Sequence, residues 1–223
     1  MGCETIQTSA SGVKTPIHVN YLSQDGLWNI TSDWNDELEK KVVAFILSTP
    51  FEFYATGKPP SEKDAQNLVR NARERAEAGI PFTRFVVLDV QGKVLGEFAI
   101  GFNRDPRKLE LAIRVPEDDR KMGSEVLNWC FKEYLPELYR KGFRFPVFAR
   151  GQNSVPWGEK LVSEWIDLKN MTVVATAHPD HDQGNERLLE QGFVFVEQVT
   201  RDAFSGVHDG RRNLYELALE TLL

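Results

Sequence analysis

The feature that most constrains this chain is residues 110–127, where a strand pattern changes into a helix pattern across a short polar turn. Apolar Leu111, Ile113 and Val115 alternate with polar or small residues, which is typical of a strand with one buried face. Pro116 ends that pattern because proline has no backbone N–H to donate to a sheet. A turn that opens on a helix N-terminus presents unpaired N–H groups and the positive end of the helix dipole. The stretch therefore predicts a strand, a turn and a helix with an anion site, usually a phosphate site.

The segments on either side of this unit predict a mixed α/β or α+β domain, with helices on both faces of a sheet. Ser61 to Asp64 has the form of a capping box at the start of a helix, and Pro136 is expected to break or kink the helix that follows the central turn. The predicted strands are residues 17–22, 85–90, 94–102, 110–115, 145–149, 172–177, 193–199 and 213–219. The predicted helices lie within residues 33–50, 61–79, 124–138, 159–168 and 185–191, and the turn before the third is predicted at residues 117–123.

Length and charge limit the classes of protein to which the chain can belong. Its 223 residues suit one domain, residues 17–223, after a flexible polar tail at residues 1–16. A net charge of -6 argues against nucleic acid as a partner. No apolar run approaches the length of a membrane-spanning helix, so no membrane association is expected. Lipidation of Gly2 or Cys3 is not expected either, because Ile6 stands where the myristoylation pattern has Ser or Thr.

Neither the cysteines nor the histidines predict a metal site. The two cysteines, Cys3 and Cys130, form neither a disulfide framework nor a zinc motif, which favours a reducing, cytoplasmic location. The segment from His178 to Asp182 groups two histidines with two aspartates. Its spacing matches no standard ligand set, so a polar turn before a helix is the favoured interpretation and no metal is expected.

Three stretches, in this order, resemble the GNAT superfamily of acyl-CoA-dependent N-acyltransferases. Residues 92–101 resemble a strand of the second hairpin of that fold. The sequence Arg120-Lys-Met-Gly-Ser-Glu125 is similar to the family's phosphate loop, Gln/Arg-x-x-Gly-x-Gly/Ala, in its arginine and first glycine. Residues 185–193 are similar to the helix that ends in Gly-Phe near the family's C-terminus. The resemblance implies a mostly antiparallel, twisted sheet of about seven strands, with residues 144–170 as an insert.

The resemblance also implies an activity, the transfer of an acetyl group from acetyl-CoA to a primary amine. The tail of the chain looks most like the branch that acetylates peptide N-termini and small cationic amines, acting as a monomer or a homodimer. The alternative is a catalytically degenerate module of the same fold that binds coenzyme A or regulates. Two departures from the family pattern favour that alternative: Glu125 replaces a small residue of the loop, and Leu188 stands at the frequent catalytic tyrosine.

The resemblance implies a cofactor site on the central unit. Backbone N–H groups of the loop would hold the pyrophosphate, and Gly123 would let the backbone approach it closely. Arg120 and Lys121 either add charge there or lie in a solvated turn. In the family, two neighbouring strands separate beside this loop. The free strand edge from Ile113 to Val115 would therefore pair with pantetheine. The expected cofactor-binding residues are Ile113, Arg114, Val115, Arg120, Lys121, Met122, Gly123, Ser124 and Glu125.

The reaction needs a neutral amine, and two glutamates are candidates for the group that removes its proton. An alkylammonium ion has a pKa of about 10, so a general base or a chain of waters must act at neutral pH. Glu97 and Glu110 lie on predicted strands, where each is alternatively a solvent-facing carboxylate. Phe53, Tyr54 and His208 lie on loops that border the acceptor site in the family, and ordinary loop packing is their alternative role. The acceptor itself is not identified by the sequence, since loops diverge freely.

Overall fold

The computed structural model describes residues 19–23, 25–48, 60–79, 83–102, 105, 107–115, 120–148, 162–200 and 210–223. The strands are β1 Asn20–Leu22, β2 Trp28–Thr31, β3 Arg84–Asp89, β4 Val94–Phe102, β5 Lys108–Arg114, β6 Arg144–Phe148, β7 Val162–Asp167, β8 Thr172–Ala177, β9 Val194–Thr200 and β10 Arg211–Ala218. The helices are α1 Asp36–Ser48, α2 Glu62–Glu77, α3 Arg120–Trp129, α4 Leu135–Arg140 and α5 Asp182–Glu190.

Eight of the strands form one sheet in the order β1-β2-β3-β4-β5-β8-β10-β9. Every neighbouring pair is antiparallel except β5 and β8, which run parallel in the middle of the sheet. This confirms the predicted mixed, mostly antiparallel sheet. It has one strand more than the expected seven, because β2 is four residues long and carries too little alternation to be found from sequence. The remaining strands, β6 and β7, form a separate antiparallel hairpin.

Helices cover both faces of the sheet, as the element order predicts. On one face α1 and α2 bury their apolar stripes against β3 and β4. The capping box that begins α2 is confirmed, with Ser61 and Asp64 each accepting a hydrogen bond from the other's backbone N–H. On the other face, α3, α4 and α5 pack over the larger core. Trp129 lies at the centre of that core, stacked on Tyr134 and edge-on to Phe85.

The helix predicted for residues 159–168 is wrong, because Val162–Asp167 form the strand β7. In this strand Ile166 is buried while its neighbour Trp165 is exposed, which is the alternation of a strand. Its partner β6 lies more than a dozen residues earlier in the chain, so no local pattern shows the pairing.

Pro136 does not break the helical run that begins with α3. A single π-helical turn, Cys130–Tyr134, joins α3 to α4, and Pro136 lies in the first turn of α4. The wider turn removes the need for the regular hydrogen bond that proline cannot donate. Cys130 lies in this turn, fully buried, and burial raises the pKa of its thiol, so it is a neutral core residue. None of the helices in the described ranges is long and apolar enough to cross a membrane.

Candidate active site

The parallel strands β5 and β8 separate part-way along their length. They pair only from Lys108 to Glu110 on β5 and from Thr172 to Val174 on β8. Beyond these residues β5 continues to Arg114 paired with β4, while β8 continues to Ala177 paired with β10. A gap therefore opens at the C-terminal ends of the two parallel strands, in the middle of the sheet. Ile113 and Val115 line the β5 side of this gap and are partly buried against the core.

Both strands lead into helices on the same face of the sheet. α3 follows β5 after residues 115–119, and α5 follows β8 after a four-residue turn. The gap between the strands is thus continued by the N-terminal ends of two helices, where backbone N–H groups and the helix dipole favour an anion. Along α3, the side chain of Met122 is buried in the core, so only its backbone is left to contact a ligand.

Glu125 does not face the interior of this gap. Its carboxylate lies 3.3 Å from Nζ of Lys121, one helical turn earlier. The same Nζ lies 3.5 Å from Asp25 in the turn between β1 and β2. Glu125 also lines a small cavity of about 290 Å³ with Tyr21 and Glu133 on this flank of α3. The side chain of Glu125, the residue that departs from the loop pattern, is therefore directed to one side of α3. The exposed Lys121 forms an ion pair with it.

Glu97 is a buried charge and not a solvent-facing strand carboxylate. Its side chain is 2% exposed and lies 2.5 Å from a guanidinium nitrogen of Arg84 on β3 and 2.5 Å from one of Arg114 on β5. Register explains the contact, because Glu97 stands directly opposite Arg114 in the antiparallel pair. With both oxygens held by guanidinium groups, Glu97 is poorly placed to take a proton from an amine. The geometry makes it a positioning residue for Arg114 at the end of β5.

A third guanidinium, that of Arg75 on α2, adds positive charge to this face of the sheet. It lies over Gly101, with Nη1 at 3.7 Å from the position of an added Cβ. Burial and the charge of Arg84 lower the pKa of Arg75 to about 10, so it remains a cation at neutral pH.

Glu110 is exposed and lies at the point where β5 and β8 begin to separate. It is the last β5 residue paired with β8, opposite Val174, and it faces Gly101 across the antiparallel pair with β4. Its side chain is on the same face of the sheet as Arg114, four residues later, because side chains alternate along a strand. Of the two candidate bases, Glu110 is therefore the carboxylate that solvent and a substrate can reach.

Gly96 lets β4 approach the end of β5 closely. A Cβ at this position would lie 2.9 Å from the carbonyl oxygen of Arg114 and 3.2 Å from the side chain of Val115. We expect Gly96→Ala to cost about 1–3 kcal/mol in the free energy of unfolding, because the backbone of β5 would have to shift. Thermal unfolding followed by circular dichroism measures this as a lower melting temperature.

The matched control for that prediction is Gly101→Ala on the same strand. There the nearest atom to an added Cβ is the end of a flexible arginine at 3.7 Å, an ordinary contact. Equal melting temperatures for the two variants would contradict the steric argument.

Solved structures of acetyltransferases match this fold along most of the chain. A ribosomal-protein-alanine acetyltransferase from Vibrio fischeri gives a TM-score of 0.59 at 10% identity, covering 92% of this chain and 99% of that one. A spermidine N-acetyltransferase chimera derived in part from Vibrio cholerae gives 0.54 at 12% identity, covering 88% and 98%. A GNAT-family acetyltransferase from Bacillus anthracis gives 0.52 at 11% identity, covering 86% and 95%. No protein-family model and no curated protein sequence matches the chain.

The chain has the GNAT fold. In this GNAT-fold chain, Asn185 on α5 is an organising residue that sequence reasoning missed. Its amide nitrogen donates to the carbonyl oxygens of His178 and His181, and its oxygen accepts from the hydroxyl of Tyr215 at 2.7 Å. These bonds fix the start of α5 to the end of β8 and to β10. The sequence offers one signal for this role, the spacing of seven residues between His178 in the turn and Asn185. Nothing in the neighbouring residues distinguishes Asn185 from a solvent-exposed asparagine.

The other predicted site residues of this GNAT-fold chain fall in two groups. Arg120 is the first residue of α3, and Ser124 lies half-buried one turn later. Phe53, Tyr54 and His208 lie outside the described residues, as do the loop residues just before α3.

Two further features lie apart from the gap. A cavity of about 450 Å³ lies at the opposite ends of β5 and β8, beside the β6–β7 hairpin. Within the described ranges, no three His, Cys, Asp or Glu side chains are grouped as a metal site, including those around His178.

Proposed function

We propose that this GNAT-fold chain is an N-acetyltransferase that moves an acetyl group from acetyl-CoA to a primary amine. The observation that carries the proposal is the gap between β5 and β8, which opens directly beneath the N-terminal ends of α3 and α5. A narrow strand edge suits an extended pantetheine arm, and the α3 N-terminus suits a pyrophosphate. Acetyl-CoA supplies the thioester, and the chain's own residues hold and orient it.

The residues that would hold coenzyme A are those of the central unit. The backbone of Ile113, Arg114 and Val115 offers the strand edge, and a backbone N–H there would stabilise the oxyanion that develops on the thioester carbonyl. The backbone of residues 121–125 offers the phosphate site, with Gly123 permitting close approach. The deflection of Glu125 toward Lys121 removes the main objection to an anion at this loop.

The acceptor would be a primary amine, either a peptide N-terminus or a small cationic amine. Two proteins with this fold are named for such acceptors, a ribosomal-protein alanine and spermidine. Glu110 accepts a proton from the ammonium group of the acceptor. The neutral amine nitrogen then forms the new bond to the acetyl carbon and the carbon–sulfur bond breaks. The second proton of the nitrogen passes to the departing thiolate, so coenzyme A leaves as the thiol.

Calorimetric titration with acetyl-CoA tests the first half of this proposal. We expect a saturable heat change with a dissociation constant below one millimolar, and the same titration with free adenosine as the control. An absence of binding at millimolar acetyl-CoA would contradict the proposal. Release of free thiol on adding a panel of peptide and polyamine acceptors tests the second half.

A degenerate coenzyme A-binding module is the second candidate, favoured by the positions of two side chains. Glu97 is held between two arginines, and Leu188 is buried in the core where a catalytic tyrosine would stand. This candidate predicts binding of acetyl-CoA without thiol release against any amine, and sustained turnover with one amine would exclude it.

A further inference from the structure

A guanidinium group lies between the two helices that follow the separated strands. Arg187, on α5, packs against Gly123 on α3. A Cβ added to Gly123 would lie 2.7 Å from Nη1 of Arg187 and 3.3 Å from Cζ. The head of Arg187 therefore occupies the space that any larger residue at position 123 would fill.

Helix geometry places this guanidinium on the opposite side of α3 from the charges already described. Successive residues of an α-helix turn by about 100°, so Gly123 is about 200° from both Lys121 and Glu125. Lys121 and Glu125 pair with each other on the flank near Asp25. On the flank that faces α5, the guanidinium of Arg187 lies against Gly123. A guanidinium carries the positive charge that a phosphate requires.

Arg187 is held in place by the packing of α5. The next residue, Leu188, is buried in the core, and Asn185, two residues earlier, is bonded to β10 and to the turn before the helix. A guanidinium on a fixed helix loses little freedom when it binds, and its planar fork matches two phosphate oxygens at once. α3 follows β5, and α5 follows β8. A pantetheine arm that runs from the gap toward the α3 N-terminus would therefore pass the guanidinium of Arg187.

We propose that Arg187 binds the pyrophosphate of coenzyme A from the α5 side, opposite the backbone N–H groups of α3. This inference rests on the proposed function and goes further, because it assigns a side chain on a second helix to the phosphate. In a merely structural role, Arg187 would lie near the C-terminal end of α5 and interact favourably with that end of the helix dipole.

Arg187→Met separates these two roles, because methionine keeps the unbranched apolar stem of the side chain and removes the charge. We expect the affinity for coenzyme A to fall about 10- to 100-fold, the usual loss for a charge-assisted hydrogen bond. Affinity for acetyl-pantetheine, which lacks the pyrophosphate, should not change. Arg187→Lys should recover part of the affinity for coenzyme A, since it restores charge without the planar fork. Titration calorimetry with both ligands measures these effects.

The matched control is Arg140→Met, which removes one arginine from α4 at the far end of the helical run, where it pairs with Glu137. It should leave both affinities unchanged. If the unaltered protein binds no coenzyme A, the proposed function fails. If it binds coenzyme A and Arg187→Met binds it equally well, only the present inference fails. An equal loss for both ligands would show a structural role and would also overturn it.

Gly123→Ala tests the same inference without removing the arginine, should Arg187→Met fail to fold. Alanine is the better helix former, and the clash is with the flexible end of a side chain, so the fold is retained. The added methyl displaces the guanidinium, and we expect the same selective loss of affinity for coenzyme A. In the Arg187→Met background the added methyl should cause a smaller loss, because only its effect on the close approach of the backbone remains. A loss of equal size in both backgrounds would show that the methyl acts on the ligand directly, and would overturn the role of Arg187.

Discussion

Replacing Glu97 with glutamine should lower the free energy of unfolding by about 3 kcal/mol, at the low end of the range for breaking a buried ion pair. Glutamine keeps the shape of the side chain but removes the negative charge that lies between Arg84 and Arg114. Both arginines are less than one-fifth exposed, so water would compensate only part of the loss. Urea unfolding followed by tryptophan fluorescence gives the change as a lower midpoint at constant slope.

The matched control is Glu110→Gln, the same substitution at an exposed carboxylate on the adjacent strand. It should change stability by no more than about 0.5 kcal/mol, as is usual for surface positions. Equal effects of the two substitutions would contradict a structural role for Glu97. So would a Glu97→Gln variant that is as stable as the original protein and has lost a limb of its pH–rate profile, since that is the behaviour of a general base.

Glu110→Gln has the largest effect expected on catalysis, a fall of about 100-fold in kcat/KM for an alkylamine acceptor at neutral pH. The physical reason is that an alkylammonium ion with a pKa of about 10 cannot attack until it loses a proton. The deficit should shrink as the pH rises toward that pKa, because the amine then becomes neutral without help. Initial rates of thiol release between neutral and alkaline pH measure both effects.

Glu164→Gln is the control, because Glu164 is also an exposed glutamate on a strand but lies on the β6–β7 hairpin. Its pH–rate profile should be unchanged. If Glu110→Gln also leaves the profile unchanged, the base is not Glu110 and a chain of waters takes the proton. A peptide N-terminus, with a pKa of about 8, should be less sensitive to the substitution than an alkylamine.

Much of the fold follows from local sequence patterns. The alternation at β5, the capping box at Ser61 and the apolar stripes of α1 and α2 each depend on residues close together in the chain. Such patterns show which face of an element is buried, because burial of apolar side chains dominates folding. The prediction failed at β7, where a strand is stabilised by pairing with β6 across a long connection. It also missed β2, which has too few residues to show a period.

The site was predictable only in outline. The helix after β5 and the glycine in its first turn are local features, so the position of the candidate phosphate site was predicted from sequence, although the helix begins at Arg120 and not after Gly123. Whether each charged side chain is buried and paired, or exposed, was not predictable from the sequence. Glu97 and Glu110 look alike in sequence, yet the register of β4 against β5 brings Arg114 opposite one of them and leaves the other exposed. The sequence predicted no role for Arg187, because its contact with Gly123 joins residues that are far apart in the chain.

The sequence by itself determined that a strand ending before Pro116 is followed by a helix whose N-terminus favours an anion, because alternation and proline act within a few residues. Tertiary structure decided what surrounds that unit. It separates β5 from β8, turns Glu125 toward Lys121, holds Glu97 between two arginines and brings Arg187 against Gly123. These outcomes depend on strand register and helix phase between distant segments, and charges act over distances that only the folded chain sets.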